Sequence, residues 1–117
     1  MTVDAPISSD LIRGHIDTIV LGLLNGQDRY GYEIVKQVAV LSDGTYELKE
    51  PTLYSAFRRM EGSGLIGSYW GEESQGGRRK YYHISPEGHE TYLRNLEDWK
   101  RARTLIDKLV SGEAEKE

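Results

Sequence analysis

The stretch Glu50-Pro51-Thr52-Leu53-Tyr54-Ser55-Ala56-Phe57-Arg58-Arg59-Met60, followed by Leu65-Ile66-Gly67-Ser68-Tyr69-Trp70 and then Arg79-Lys80-Tyr81-Tyr82-His83-Ile84, decides the fold. Glu50-Pro51 begins a helix, because proline at the first helical position is preorganised and loses no useful donor there. Leu53, Phe57 and Met60, at spacings of four and three, form one apolar stripe. Thr52, Ser55, Arg58 and Arg59 are left facing outward, and Gly62-Ser63-Gly64 ends the helix. The two later runs flank a polar, glycine-rich turn at 72–77 and predict a β-hairpin. Alternation turns Tyr82 and Ile84 inward and puts Arg79, Tyr81 and His83 on the other face.

Working outward, Ser8, Ser9 and Asp10 offer helix caps ahead of Leu11, Ile12, Ile16, Ile19, Val20, Leu23 and Leu24. That spacing predicts a helix over about 9–25, stopped by Asn25-Gly26 as a left-handed cap would stop it. Its apolar residues run round much of the cylinder, more than one buried face requires, which implies that a partner chain covers the other side. After the turn Gln27-Asp28-Arg29, a helix opens at Tyr30-Gly31-Tyr32, carries Ile34, Val35, Val38 and Leu41, and ends at Ser42-Asp43-Gly44. Thr45-Tyr46-Glu47-Leu48 is a short extended piece. Beyond the hairpin, Ser85 caps a helix that has Pro86 at its first position and runs to about Val110. Tyr92, Leu96, Trp99, Ile106 and Val110 lie along its four-three seam, and Arg103 interrupts them.

Three helices, a hairpin and a final helix define a mainly α (α+β) winged helix-turn-helix with a long C-terminal dimerisation helix. The expected division is a winged domain at 1–85 and a dimerisation helix with an acidic tail at 86–117. A long helix with an apolar seam and little of its own chain to cover it buries that seam in a homodimer.

At 117 residues the chain holds one core and no second independent one. No apolar run approaches the roughly 20 residues that span a bilayer, so no membrane contact is expected. The N-terminus lacks the basic and apolar regions of a signal peptide, which points to the cytoplasm. There are no cysteines, which excludes disulfides, thiol catalysis and Cys-type zinc sites. His15, His83 and His89 have no metal-site spacing and no acid–base pair is identifiable, so neither a cofactor nor an enzymatic activity is expected. The net charge of −4 argues mildly against nucleic acid. Phosphate is met by a local patch, however, and Arg58, Arg59, Arg78, Arg79 and Lys80 cluster mid-chain while Glu113, Glu115 and Glu117 crowd a tail expected to be frayed and solvated.

Three features carry candidate chemistry. Thr52, Ser55, Arg58 and Arg59 suit a recognition helix, and Tyr54 can reach phosphate or a thymine methyl; an ordinary amphipathic surface helix would display the same residues. Arg78, Arg79 and Lys80 suit a wing on phosphate or in the minor groove, although three charges also protect a sheet edge from aggregation. Trp99, mid-helix, serves either as interface core or as a flat plate for planar apolar ligands.

Gly31-Tyr32-Glu33-Ile34, Pro51-Thr52-Leu53-Tyr54, Arg59-Met60-Glu61 with Gly64-Leu65-Ile66, and Gly76-Gly77-Arg78-Arg79-Lys80-Tyr81-Tyr82 together resemble the PadR family of transcriptional regulators. The single C-terminal helix resembles the short subfamily, and residues 68–82 with Trp99 are most similar to its multidrug-binding repressors. The likeness spans roughly residues 10 to 110. It implies a homodimeric repressor on double-stranded DNA with a palindromic operator, released by a small molecule. It also implies a pore between subunits where planar aromatic effectors stack on paired Trp99 side chains, with Leu96 and Arg103 nearby. Two departures stand out: Gln27-Asp28-Arg29 replaces the usual Gly-Pro, and Arg103 adds positive charge to that pore, which does not favour cationic guests. The competing reading is a winged-helix adaptor that binds protein and not DNA, favoured by the acidic total and opposed by the basic wing.

Overall fold

The computed structural model describes residues 5–72 and 77–112. Most of the anticipated hairpin turn, at 73–76, and the acidic tail at 113–117 lie outside the described residues. The elements run α1 (Ser9–Ile12), a 3-10 turn (Arg13–His15), α2 (Ile16–Leu24), β1 (Arg29–Tyr30), α3 (Gly31–Leu41), α4 (Glu50–Gly62), β2 (Ile66–Trp70), β3 (Lys80–Ile84) and α5 (Pro86–Ser111). Helix one is therefore not continuous over 9–25: the 3-10 turn at Arg13–His15 splits off a first short segment. Glycine inside a helix costs roughly 1 kcal/mol against alanine, but Gly22 sits inside α2 without breaking it, so Gly14 alone does not account for the break.

The hairpin also gains a strand. Arg29, expected in a turn, and Tyr30, expected to open a helix, pair with Tyr82 and Tyr81 and make a three-stranded antiparallel sheet of order β1-β3-β2. The Arg29 guanidinium holds this short strand in place by donating from Nε to the Leu23 carbonyl at 2.7 Å. Tyr30 then caps α3, its backbone N–H donating to the Glu33 carboxylate at 3.1 Å. Thr45–Leu48 forms no strand.

Ile16, Val20, Leu21 and Leu24 of α2, Ile34 and Val38 of α3, Leu48, and Leu53, Ala56, Phe57 and Met60 of α4 form the core, closed by Ile66 and Tyr82 from the sheet. Phe57 and Tyr82 stack with centroids 3.7 Å apart, which fixes α4 to β3. Inward alternation holds at Tyr82, while Ile84 is only half-buried. The end of α4 is tied to β2 as well: Ser68 Oγ donates to Glu61 at 2.6 Å, and the Leu65 N–H to the Met60 carbonyl at 2.9 Å.

Helix α5 is capped as its sequence predicts, Ser85 Oγ accepting from the Gly88 N–H at 3.0 Å. Of its 26 residues only Gly88 is buried. Helices in proteins draw most of their stability from packing of an apolar face, and α5 obtains little of it inside this chain.

Candidate nucleic-acid interface and apolar groove

Successive residues of α4 are separated by roughly 100° round the helix axis. With Leu53, Ala56, Phe57 and Met60 buried, Ser55 and Arg58 fall opposite the core and are exposed. Tyr54 occupies one flank. Its hydroxyl lies over Gly31, where an added Cβ would approach it to 2.6 Å, and its ring meets Phe57 edge-on. The glycine of the Gly-Tyr-Glu-Ile motif thus makes room for the tyrosine of the Pro-Thr-Leu-Tyr motif. Thr52 and Arg59 occupy the other flank, where Arg59 forms an ion pair with Asp17 of α2. All five α4 residues expected at DNA are exposed; only Arg59 is engaged by a carboxylate among the described residues.

The wing cations rest on aromatic rings. Arg78 lies 5.8 Å from the Trp70 centroid, Arg79 4.6 Å from Tyr30, and the Lys80 ammonium 5.8 Å from Tyr82. Each contact adds a fraction of a kcal/mol at such exposed positions, of order 0.5–1 kcal/mol, and limits how far the charges swing. Gly71 donates its N–H to the Arg79 carbonyl at 2.7 Å where the strands part. On the outer face Tyr69 stacks on Tyr81 and donates its hydroxyl to Asp28 at 2.6 Å. That hydrogen bond, ahead of desolvation and the carboxylate's charge, raises the Tyr69 pKa.

A separate apolar groove of about 690 Å³ runs between helix one and α5. Leu96 and Trp99 line it with Tyr92 and Ile106, and helix one adds Leu11, His15, Thr18, Ile19 and Gly22. Gly22 lets the two helices close, since a Cβ there would stand 2.9 Å from the Tyr92 ring. His15 meets Trp99 edge-on at 4.9 Å. Arg103 and Val110 are exposed and do not line the groove. The sequence marks helix one as needing a second covering surface but does not single out positions 11, 15, 18 and 22, although they repeat the four-three spacing of α5. Their mixed types, leucine, histidine, threonine and glycine, hide the pattern.

Among the described residues there is no cluster of His, Cys, Asp or Glu that could hold a metal, and no helix long and apolar enough to cross a membrane.

The architecture defines a winged-helix DNA-binding regulator: a helix with a polar outer face, fixed by its apolar stripe to a sheet whose hairpin carries a basic run. Residues 20–94 match the model of the transcriptional regulator PadR-like family, and the chain belongs to that family, whose members are non-enzymatic DNA-binding regulators. A transcriptional regulator from Clostridium thermocellum, Cth-833, is similar at 51% identity, with a TM-score of 0.81 over 89% of this chain and 98% of its own. A PadR family transcription regulator from Clostridium difficile R20291 is 39% identical, with a TM-score of 0.73 over 83% of this chain and 99% of its own. An uncharacterized protein of Lysinibacillus sphaericus shares 41% identity over 91% of this chain and 97% of its own length.

Proposed function

We propose that this regulator is a homodimeric repressor that reads a palindromic operator and is released by a planar aromatic effector. The observation that carries the reading is the separation of two surfaces by one core. On one side lie the exposed Thr52, Tyr54, Ser55, Arg58 and Arg59 of α4; on the other lies the apolar groove with Trp99.

In this reading α4 enters the major groove, where Thr52, Tyr54 and Ser55 carry sequence preference and Arg58 and Arg59 contact base edges or phosphate. Arg78, Arg79 and Lys80 grip the flanking backbone. Two-fold symmetry sets the recognition helices about 34 Å apart on a palindromic site. Helix α5, Pro86–Ser111, supplies the dimer arm. Tyr92, Leu96, Trp99, Ile106 and Val110, exposed or half-buried in the single chain, are covered by the partner's α5 and helix one. The groove then becomes part of a pocket between subunits, and an effector that binds the form unable to hold DNA releases the operator. Among the described residues the groove is lined mostly by apolar and aromatic side chains, which suits a planar aromatic guest held by burial and by stacking on Trp99.

Fluorescence anisotropy with a labelled duplex, titrated with salt, tests the DNA side. Arg79→Ala weakens binding to all sequences and flattens the salt slope by about one unit per lost phosphate contact. Unchanged slope and affinity would remove the wing from the mechanism.

A further inference from the structure

Asp17 is the one acidic side chain, among the described residues, that pairs with the candidate DNA-facing helix. It stands in the first turn of α2, and its carboxylate binds the Arg59 guanidinium across the gap to α4. The side chains remain 56% exposed for Arg59 and 36% for Asp17. Exposed ion pairs contribute only about 0–1 kcal/mol to stability, so this one does little to hold the fold together. Its larger effect is on charge, since it neutralises one of the two arginines that α4 offers.

The same helix forms a wall of the apolar groove. Thr18, Ile19 and Gly22 face the groove. The turn of roughly 100° per residue places Asp17 on the far side of α2 from that stripe, level with the buried Leu21 and Leu24. One helix therefore touches the groove on one side and Arg59 on the other.

We infer that Asp17 and DNA phosphate compete for Arg59, and that the position of α2 against α5 sets the outcome. The inference rests on the assignment of α4 as the DNA-facing helix. When Arg59 turns to phosphate, Asp17 is left as an unpaired negative charge beside a polyanion, which opposes binding. When α2 is held so that the pair stays closed, α4 presents one cation fewer. Asp17 is thus a positioning residue for DNA binding, and it touches neither DNA nor effector.

The test uses the full chain and a labelled random-sequence duplex, with anisotropy read over a range of salt. Asp17→Asn tightens binding, by up to about fivefold for an exposed pair, and steepens the salt slope by up to about one unit. In an Arg59→Ala background most of that gain disappears. Asp17→Glu keeps the charge and behaves as the parent, and Asp17→Ser replaces Asp17→Asn if the latter melts early. Gly22→Ala, which pushes a Cβ against Tyr92, changes DNA affinity in the parent and less so in Asp17→Asn. Competition is overturned if Asp17→Asn leaves affinity unchanged, weakens it, or tightens it equally without Arg59. The link to the groove is overturned if Gly22→Ala has no effect or an equal effect in both backgrounds. Failure of the α4 assignment looks different: Arg58→Ala would then leave DNA binding intact.

Discussion

Phe57 of α4 and Tyr82 of β3 lie face to face, centroids 3.7 Å apart and planes 13° from parallel. Both are buried, so the stack is a core contact between the candidate recognition helix and the wing. Phe57→Ala removes one partner and leaves a cavity between them, costing about 3–5 kcal/mol. Urea denaturation measures that loss, and a cost below about 1 kcal/mol would show that the two elements are fixed elsewhere.

Alkaline pH acts on the same contact. Burial, ahead of the charge of Glu61, raises the Tyr82 pKa above the usual tyrosine value, which is about 10. The fold favours the neutral phenol, so the stabilisation is complete below the usual value and is lost as pH rises through the folded one. Thermal melts between pH 8 and 11 follow this, with stability flat at first and falling above about pH 10. Tyr82→Phe lessens the fall; the remainder comes from Tyr46, which burial also raises, and from Tyr69.

Gly88 fixes the departure of α5 from the sheet. A Cβ at this position would lie 2.0 Å from the Leu65 carbonyl oxygen and 2.8 Å from Ile84 Cγ1. The first of these is backbone and cannot step aside. Gly88→Ala therefore costs at least the ~1–3 kcal/mol of an overpacked core and tilts α5. Circular dichroism melts show a lower Tm; an unchanged Tm would mean that the helix start gives way freely.

Trp99 reports on the groove. Trp70, the other tryptophan, is 58% exposed, so a Trp70→Phe protein isolates the Trp99 signal. Planar aromatic compounds added to that protein quench its emission, and quenching that leaves DNA affinity unchanged would sever the effector from regulation.

Most of this architecture was legible because its signals are local. Pro51, Ser85-Pro86 and the paired stripes of α4 and α5 act within one or two turns, and the structure places those helices where their caps begin. The break in helix one at Arg13–His15 leaves no mark in the sequence, because the apolar spacing of Ile12 and Ile16 runs straight through it. β1 was hidden because a two-residue strand has no period of its own; it exists through Tyr81, Tyr82 and the Arg29–Leu23 hydrogen bond, all distant or non-periodic in sequence. The polar face of α4 was legible, but the fate of its arginines was not. Arg58 and Arg59 are neighbours of the same type, and only the third dimension brings Asp17, 42 positions earlier, to one of them. The groove was half legible, as Leu96 and Trp99 announce themselves whereas Thr18 and Gly22 do not.

The division of labour between α4 and the wing is tested most directly by one ratio. Anisotropy gives the affinity for a palindromic site, selected from a randomised duplex pool, relative to a scrambled duplex at the same salt. Thr52→Ala should lower that ratio by about fivefold or more, the span of a lost base contact of roughly 1–3 kcal/mol, with binding to the scrambled duplex unchanged. Arg79→Ala should weaken both and leave the ratio where it was. Equal losses on both duplexes for Thr52→Ala, or a ratio of one in the parent protein, would contradict sequence reading by α4.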